Sequence, residues 1–243
     1  MNRQKIRKCL IFTFFLLFPI TIFFFSPYLA IIGAFEGIMV GSLVVFSVQF
    51  VSSLFLARAF CGWACPGAGL QECCSIVSDK KARGGRLNWI KYVIWAPWIS
   101  GIIAGFLSAG GMHKIDVLFH THRGVSVAQP AAYIIYYAVI ALIVIPALTA
   151  GKRGFCHYIC WMAPFMVIGT KIKDIFKRPS LHLTADSNKC VNCKACNKKC
   201  QMSLDVNAMV QRGSMVNSEC ILCGECVDVC PKKVISYYWG RLD

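Results

Sequence analysis

The chain alternates long apolar runs with short basic connections. Cys9 to about Phe25 is apolar, and so are about Ile38–Phe60, Ile90–Ala109 and Pro130–Ala150. Each run comes near the ~20 residues a helix needs to cross the hydrocarbon core of a bilayer, so the pattern predicts four transmembrane helices. No convincing small-residue cleavage site follows the first run. It therefore reads as an uncleaved anchor rather than a signal peptide.

The basic residues give these spans a direction. Arg3, Lys5, Arg7 and Lys8 precede the first, and Lys80, Lys81, Arg83 and Arg86 lie between the second and third. Lys152, Arg153 and many more follow the fourth, whereas residues 26–37 carry none and the third-to-fourth connection only Lys114 and Arg123. Positive residues stay inside, which predicts a multi-pass protein of the inner (cytoplasmic) membrane with both termini in the cytoplasm. Beyond the last span, Phe165, Ile168, Ile172 and Ile175 recur at helical spacing opposite Lys171, Lys173 and Asp174. They predict a short amphipathic helix, either lying on the inner membrane surface or packed on the protein itself.

Composition agrees. Hydrophobic residues make up 57% of the 243 positions and charged ones 15%, more apolar surface than a soluble chain of this length can hide. The net charge of +15 would suit nucleic acid, but the cations flank apolar runs. Lipid, and not nucleic acid, is the partner implied.

Fifteen cysteines change the picture from membrane anchor to redox protein. Cys190, Cys193, Cys196 and Cys200 form C-x-x-C-x-x-C-x-x-x-C, and Cys220, Cys223, Cys226 and Cys230 repeat it, with Pro231 following. This is the bacterial ferredoxin run, in which the fourth cysteine of each motif ligates the other cluster. Two [4Fe–4S] clusters are expected, one on Cys190, Cys193, Cys196 and Cys230, the other on Cys200, Cys220, Cys223 and Cys226. Zinc sites pair two cysteines with two more at a distance, a different spacing. Gln201 stands where a proline often follows the first run.

A second repeat sits at the ends of the second and fourth spans: Arg58-Ala-Phe60-Cys61-Gly-Trp-Ala-Cys65 and Arg153-Gly-Phe155-Cys156-His-Tyr-Ile-Cys160. If helical, each pair presents both thiols on one face, and two such helices would bring four sulfurs together. Metal ligation, an additional intramembrane iron–sulfur site, a redox thiol pair and contact with a partner all remain open. Arg58 and Arg153 would stabilise thiolates beside lipid, and His157 inside the second pair is the histidine of interest. Cys9 reads as span lining, and Cys73 and Cys74 as spare ligands or ordinary cytosolic thiols. His113, Asp116, His120 and His122 cluster in the outer connection, where loop histidines are the default. Trp63, Trp89 and Trp161 suit an aromatic belt.

The stretch FCGWACPGAG, the second C-x-x-x-C and the double cluster run together resemble the NapH-type family of membrane ferredoxin proteins, with NosR-type and CcoG-type proteins as larger relatives. The likeness covers about Phe60 to Lys232. It implies four spans, two C-x-x-x-C-P motifs near the cytoplasmic face, and electron exchange between the quinone pool, or a membrane redox partner, and a partner electron-transfer protein. The second motif departs, since Trp161 follows Cys160 and proline comes only at Pro164. That marks a divergent branch.

The fold expected is thus a four-helix transmembrane domain (1–163), an amphipathic helix and linker (164–184), an α+β ferredoxin-like domain (185–235) and a tail (236–243). A quinol-dehydrogenase-like oxidoreductase subunit is the leading expectation, with quinone as substrate. A metal or thiol reductase serving the maturation of another complex, and a non-catalytic anchor for a ferredoxin, are the alternatives. No G-x-G-x-x-G and no Walker loop is present, so nucleotide chemistry would belong to a partner.

Overall fold

The structure is a computed structural model that describes residues 3–241. The expected tail therefore falls partly outside it, as Leu242 and Asp243 are not among the described residues. The first apolar run forms α1 (Arg3–Leu16) and α2 (Phe18–Thr21), and a 3₁₀ turn carries it on to Phe25. The two parts bend by 57°. Pro19, in the first turn of α2, lacks the N–H that would continue the ladder, and this locates the bend. Residues 26–37, expected as a loop, hold α3 (Pro27–Phe35), which starts where the Ser26 hydroxyl accepts from the Leu29 N–H.

The second apolar run is shorter as a helix than as a sequence. It opens with β1 (Ile38–Val40) and continues as α4 (Gly41–Leu56), 16 residues. At 1.5 Å per residue α4 spans about 24 Å, short of the ~30 Å core. Ala57 leaves helical geometry at φ +48°, and α5 (Ala59–Trp63) and α6 (Pro66–Val77) follow. The third and fourth runs form α7 (Ile90–Ser108) and, after β2 (Lys114–Asp116), α8 (Pro130–Thr149). Among the described residues, two helices are long and apolar enough to cross a membrane, or three if the bent α1–α2 pair counts as one span. On them Val93, Leu107, Ile134 and Ile145 are exposed, the surface lipid would cover. At the end away from the cysteines, β1 pairs in parallel with β2.

The second half of the membrane region repeats the first: α8, a short α9 (Gly154–Tyr158), then α10 (Ala163–Ile175). The two halves exchange partners, since α10 packs along α4 and α6 along α8. The amphipathic helix therefore lies on the protein, with Met166, Val167, Gly169, Thr170 and Lys173 buried. Of the expected apolar face, Phe165 stacks on Phe46 at 5.6 Å, while Ile175 is exposed. The buried face is rotated from the one the periodicity picked out, with Met166 and Val167 buried while Phe165, Ile168 and Ile172 are half-buried. Gly169 sits where an added Cβ would press on Ser53 Oγ and stand 3.1 Å from the Phe50 carbonyl. Gly169→Leu is expected to push α10 off α4 at a cost of about 1–3 kcal/mol; chemical denaturation in detergent would measure it.

The remainder is the ferredoxin-like domain: β3 (Ser180–Ala185), α11 (Ala195–Lys199), α12 (Val206–Gln211), α13 (Glu225–Asp228) and β4 (Ile235–Gly240). β3 and β4 pair antiparallel from Ser180↔Gly240 to Ala185↔Ile235. Chain expected as linker and as tail thus closes this domain, because each strand covers the other's hydrogen-bonding edge. Leu183, Val206, Met209, Val210, Val234 and Ile235 form its core.

Candidate functional site

The two cysteine runs fold alike because their backbones are forced through the same turns. Asn192 and Lys194 in the first motif have positive φ, as do Leu222 and Gly224 at the matching places in the second. Ser203 and Lys233, each three residues past a fourth cysteine, repeat the match. Left-handed backbone is uphill for most of these residues. A loop that wraps a compact body has reason to accept it six times. Each loop then delivers its third cysteine on a short helix, Cys196 on α11 and Cys226 on α13.

The voids inside these loops sort the cysteines across the motifs. Cys190, Cys193, Cys196 and Cys230 line one cavity, with Pro231 and Asn207. Cys200, Cys220, Cys223 and Cys226 line the other, with Met202, Met209 and Ile221. The Leu204 N–H points at Cys200 Sγ, 3.4 Å away. Each run thus sends its last thiol to the other run's void.

The R-x-F-C-x-x-x-C copies are also folded alike, though not as continuous helices. Cys61 lies on α5 and Cys156 on α9, while Cys65 and Cys160 occupy the turns beyond. In each copy the phenylalanine carbonyl takes two backbone N–H groups, Phe60 from Ala64 and Cys65 (2.9 and 3.0 Å), Phe155 from Ile159 and Cys160 (both 2.9 Å). The next helix opens with a proline in its first turn, Pro66 for α6 and Pro164 for α10. The proline displaced in the second copy keeps its structural role. The helical reading of the pairs is corrected accordingly. All four thiols nevertheless reach one place: Cys61, Cys65, Cys156 and Cys160 line a single cavity enclosing about 540 Å³ of non-atom space. Phe18, Val139 and Ile143, from α2 and α8, line the same cavity.

Buried charges weld this region to the ferredoxin-like domain. Arg58, fully buried, reaches Glu219 at 2.5 Å, and Lys91, also fully buried, reaches the same carboxylate at 2.6 Å. Burial alone would raise the Glu219 carboxyl, but the Arg58 and Lys91 charges outweigh it and hold it down at about 2. Arg153 meets Glu72 at 2.5 Å, and Arg7 clasps Glu72 at 2.6 and 3.0 Å and Glu225 at 3.0 Å. Arg3 pairs with Asp228 as well. Sequence reasoning missed Glu72, Glu219, Arg7, Lys91 and Gln71. The available signal was an acid inside an otherwise apolar stretch, Glu72, and one beside a ligand motif, Glu219.

The membrane-face cavity abuts the second ferredoxin void. Cys61, Met166, Met202 and Ile221 pack as one buried group, with Cys200 and Cys223 against it. Cys61 Sγ is 3.9 Å from Met166 Sδ. Gly62 faces Cys223, whose Cα would lie 3.4 Å from an added Cβ. Trp63 donates from Nε1 to the Leu222 carbonyl (2.9 Å) and Trp161 to that of Phe25 (3.0 Å). Both indoles are structural ties, which revises the aromatic-belt reading for them; Trp89 is exposed.

The other expected residues stay apart. His157 is buried, its Nδ1 2.9 Å from Asn88 Oδ1, and burial pushes its imidazole down to about 4. It lines none of the three cysteine cavities. His113 Nε2 lies 2.7 Å from the Ala109 carbonyl, and Asp116 pairs with Lys114. With His120 and His122 these residues do not form a metal-holding group. Cys9 is exposed, and Cys73 and Cys74 on α6 line none of the cysteine cavities.

Comparison with known families agrees with this division. The 4Fe-4S dicluster domain matches residues 189–235, and the 4Fe-4S binding domain matches twice, at 38–83 and 131–179. The two latter matches cover the two repeated halves, α4–α6 and α8–α10. Two uncharacterized proteins of Methanocaldococcus jannaschii are 25% and 26% identical, over 86% and 98% of this chain and 78% and 95% of their own lengths. The ferredoxin-type protein NapH of Haemophilus influenzae is 23% identical over 74% of this chain, which spans 62% of NapH. No solved structure matches. The chain carries 4Fe–4S domains, and it is similar to ferredoxin-type electron-transport proteins, NapH among them, as a divergent relative.

Proposed function

We propose that this chain passes single electrons between the quinone pool, or a membrane redox partner, and a partner electron-transfer protein. Cys190, Cys193, Cys196 and Cys230 would hold one [4Fe–4S] cluster, and Cys200, Cys220, Cys223 and Cys226 the second. The observation that carries the reading is continuity. One cavity is lined by α2 and α8 residues and by Cys61, and Cys61 packs with Met166 and Ile221 against Cys200 and Cys223. A donor within the bilayer thus stands one buried layer from a cluster site.

The donor set supports iron–sulfur over a single ion. Within each ferredoxin motif the thiols surround a void, and among the described residues no three His, Cys, Asp or Glu converge where one metal ion would sit. Bound there, the clusters supply one-electron carriage at a potential set by burial and hydrogen bonds to sulfur. The chain's own groups orient and insulate. Leu204 N–H faces a ligand sulfur, Met202 and Ile221 keep water from the second void, and Arg58 with Lys91 neutralises Glu219 beside Cys220. The basic residues at 80–86 and after 152 support a cytoplasmic ferredoxin domain in an inner membrane.

Protein purified anaerobically and set in liposomes is expected to be brown, and a reduced quinol should bleach its visible absorbance and raise a 4Fe–4S EPR signal. A colourless or zinc-loaded protein overturns the redox reading. Reduction by dithionite but by no quinol overturns the quinone assignment.

A further inference from the structure

We propose that Cys61, Cys65, Cys156 and Cys160 together hold a third iron–sulfur cluster, shared between the two membrane halves and in series with the second ferredoxin site. The proposal deepens the electron-transfer reading: it relies on that reading for where electrons go, and its own test is independent of the tail.

Sharing is required by ligand count. The second half, residues 131–179, contains only Cys156 and Cys160, too few to hold a cubane alone. The first half adds Cys73 and Cys74, but these line no part of the cavity. The exchanged packing, α10 on α4 and α6 on α8, instead carries the two short helices to one void. That void, about 540 Å³, is larger than those inside the ferredoxin loops, about 350 and 400 Å³. Space for a cubane is therefore present by the standard the same molecule sets.

Charge points the same way. Four thiolates outweigh the charge of an iron–sulfur core, so the loaded site is anionic and needs a buried cation. Arg58 lines the cavity, is fully buried, and gives only Nη1 to Glu219; its Nε and Nη2 have no partner. Stranding two guanidinium N–H groups in an apolar wall costs free energy unless something anionic occupies the space they face. Gln71 adds a second donor, its Nε2 3.1 Å from Cys156 Sγ. Hydrogen bonds to ligand sulfur are a usual means of tuning such sites. Arg153, the counterpart of Arg58 in the repeat, donates to the Cys61 carbonyl at 3.2 Å and anchors the backbone that presents this thiol.

A single ion fits less well, since no three of these thiols converge on one point. A thiol pair cycling through a disulfide would leave Arg58 facing neutral sulfur.

Iron and acid-labile sulfide counts on the full-length chain, purified anaerobically in detergent, decide the matter. About twelve irons per chain are expected, falling to about eight in a Cys61/Cys65/Cys156/Cys160 quadruple serine variant whose ferredoxin EPR signals persist. Cys61→Ser and Cys156→Ser should each cost the same four or so irons, and combining them should cost no more, because both strip one shared site. Additive losses overturn sharing. About eight irons in the wild type, with both ferredoxin signals present, overturn the third cluster while leaving the tail reading intact. About four irons, insensitive to serine at the tail cysteines, would instead sink the ferredoxin assignment. Arg58→Gln supplies a reading that structural support alone would not: a lower midpoint potential or loss of the third signal, with the signal of the cluster on Cys190, Cys193, Cys196 and Cys230 unmoved.

Discussion

Cys200→Ser is expected to remove about half of the ferredoxin-domain iron, and the half it removes is that of the opposite motif. The EPR signal lost should match the one lost on Cys220→Ser, and Cys230→Ser should pair with Cys190→Ser. The reason is that the voids are crossed: Cys200 lines the cavity of Cys220, Cys223 and Cys226, whereas Cys230 lines that of Cys190, Cys193 and Cys196. Crossing also makes each cluster a staple between two stretches about 30 residues apart. Losing one should loosen the whole domain, seen as faster proteolysis between β3 and β4. A Cys200→Ser protein that kept the signal of its distant motif and lost its own would refute the crossed pairing.

Glu72→Gln should destabilise the protein by about 3–5 kcal/mol, the cost of breaking a buried ion pair by removing one partner. Glu72 accepts from Arg7 at 2.6 and 3.0 Å and from Arg153 at 2.5 Å, and both arginines are buried. Arg7 would retain Glu225 at 3.0 Å. Arg153 would keep only the Cys61 carbonyl. Denaturant unfolding in detergent measures the loss. A change below about 1 kcal/mol, the range of an exposed pair, would show that these charges are solvated. Because Arg153 also holds the Cys61 backbone, the variant should lose membrane-face iron before tail iron.

Much of the molecule could be read from spacing alone. Eight thiols in two runs were legible as ferredoxin-type motifs, whose fourth cysteine serves the other cluster, and the two voids are lined in that crossed order. The last two apolar runs, Ile90–Ala109 and Pro130–Ala150, form long helices, interrupted in their ladders only by Pro97 and Pro146. The first two runs misled. Pro19 bends one, and the other yields three residues to a strand and ends early at Ala57. Hydropathy counts residues and does not see where a backbone turns.

Periodicity also placed the buried face of α10 a little off, because Met166, Val167 and Gly169 are buried beside the half-buried Phe165, Ile168 and Ile172. The contact with α4 combines Phe165 stacked on Phe46 with a close approach at Gly169, where a Cβ would meet Ser53 and the Phe50 carbonyl.

What the amino-acid order determined by itself was local: which thiols share a loop, which segments are apolar, and which copy repeats which. Tertiary structure alone decided that α6 and α10 exchange partners, and so that two distant thiol pairs line one void. It also decided that Arg58 and Arg153, identical in the repeat, answer to different carboxylates, Glu219 and Glu72. The physical reason is that a buried charge or a half-filled ligand set has no local solution. It is satisfied only by whatever the packing of helices far apart in sequence brings within reach.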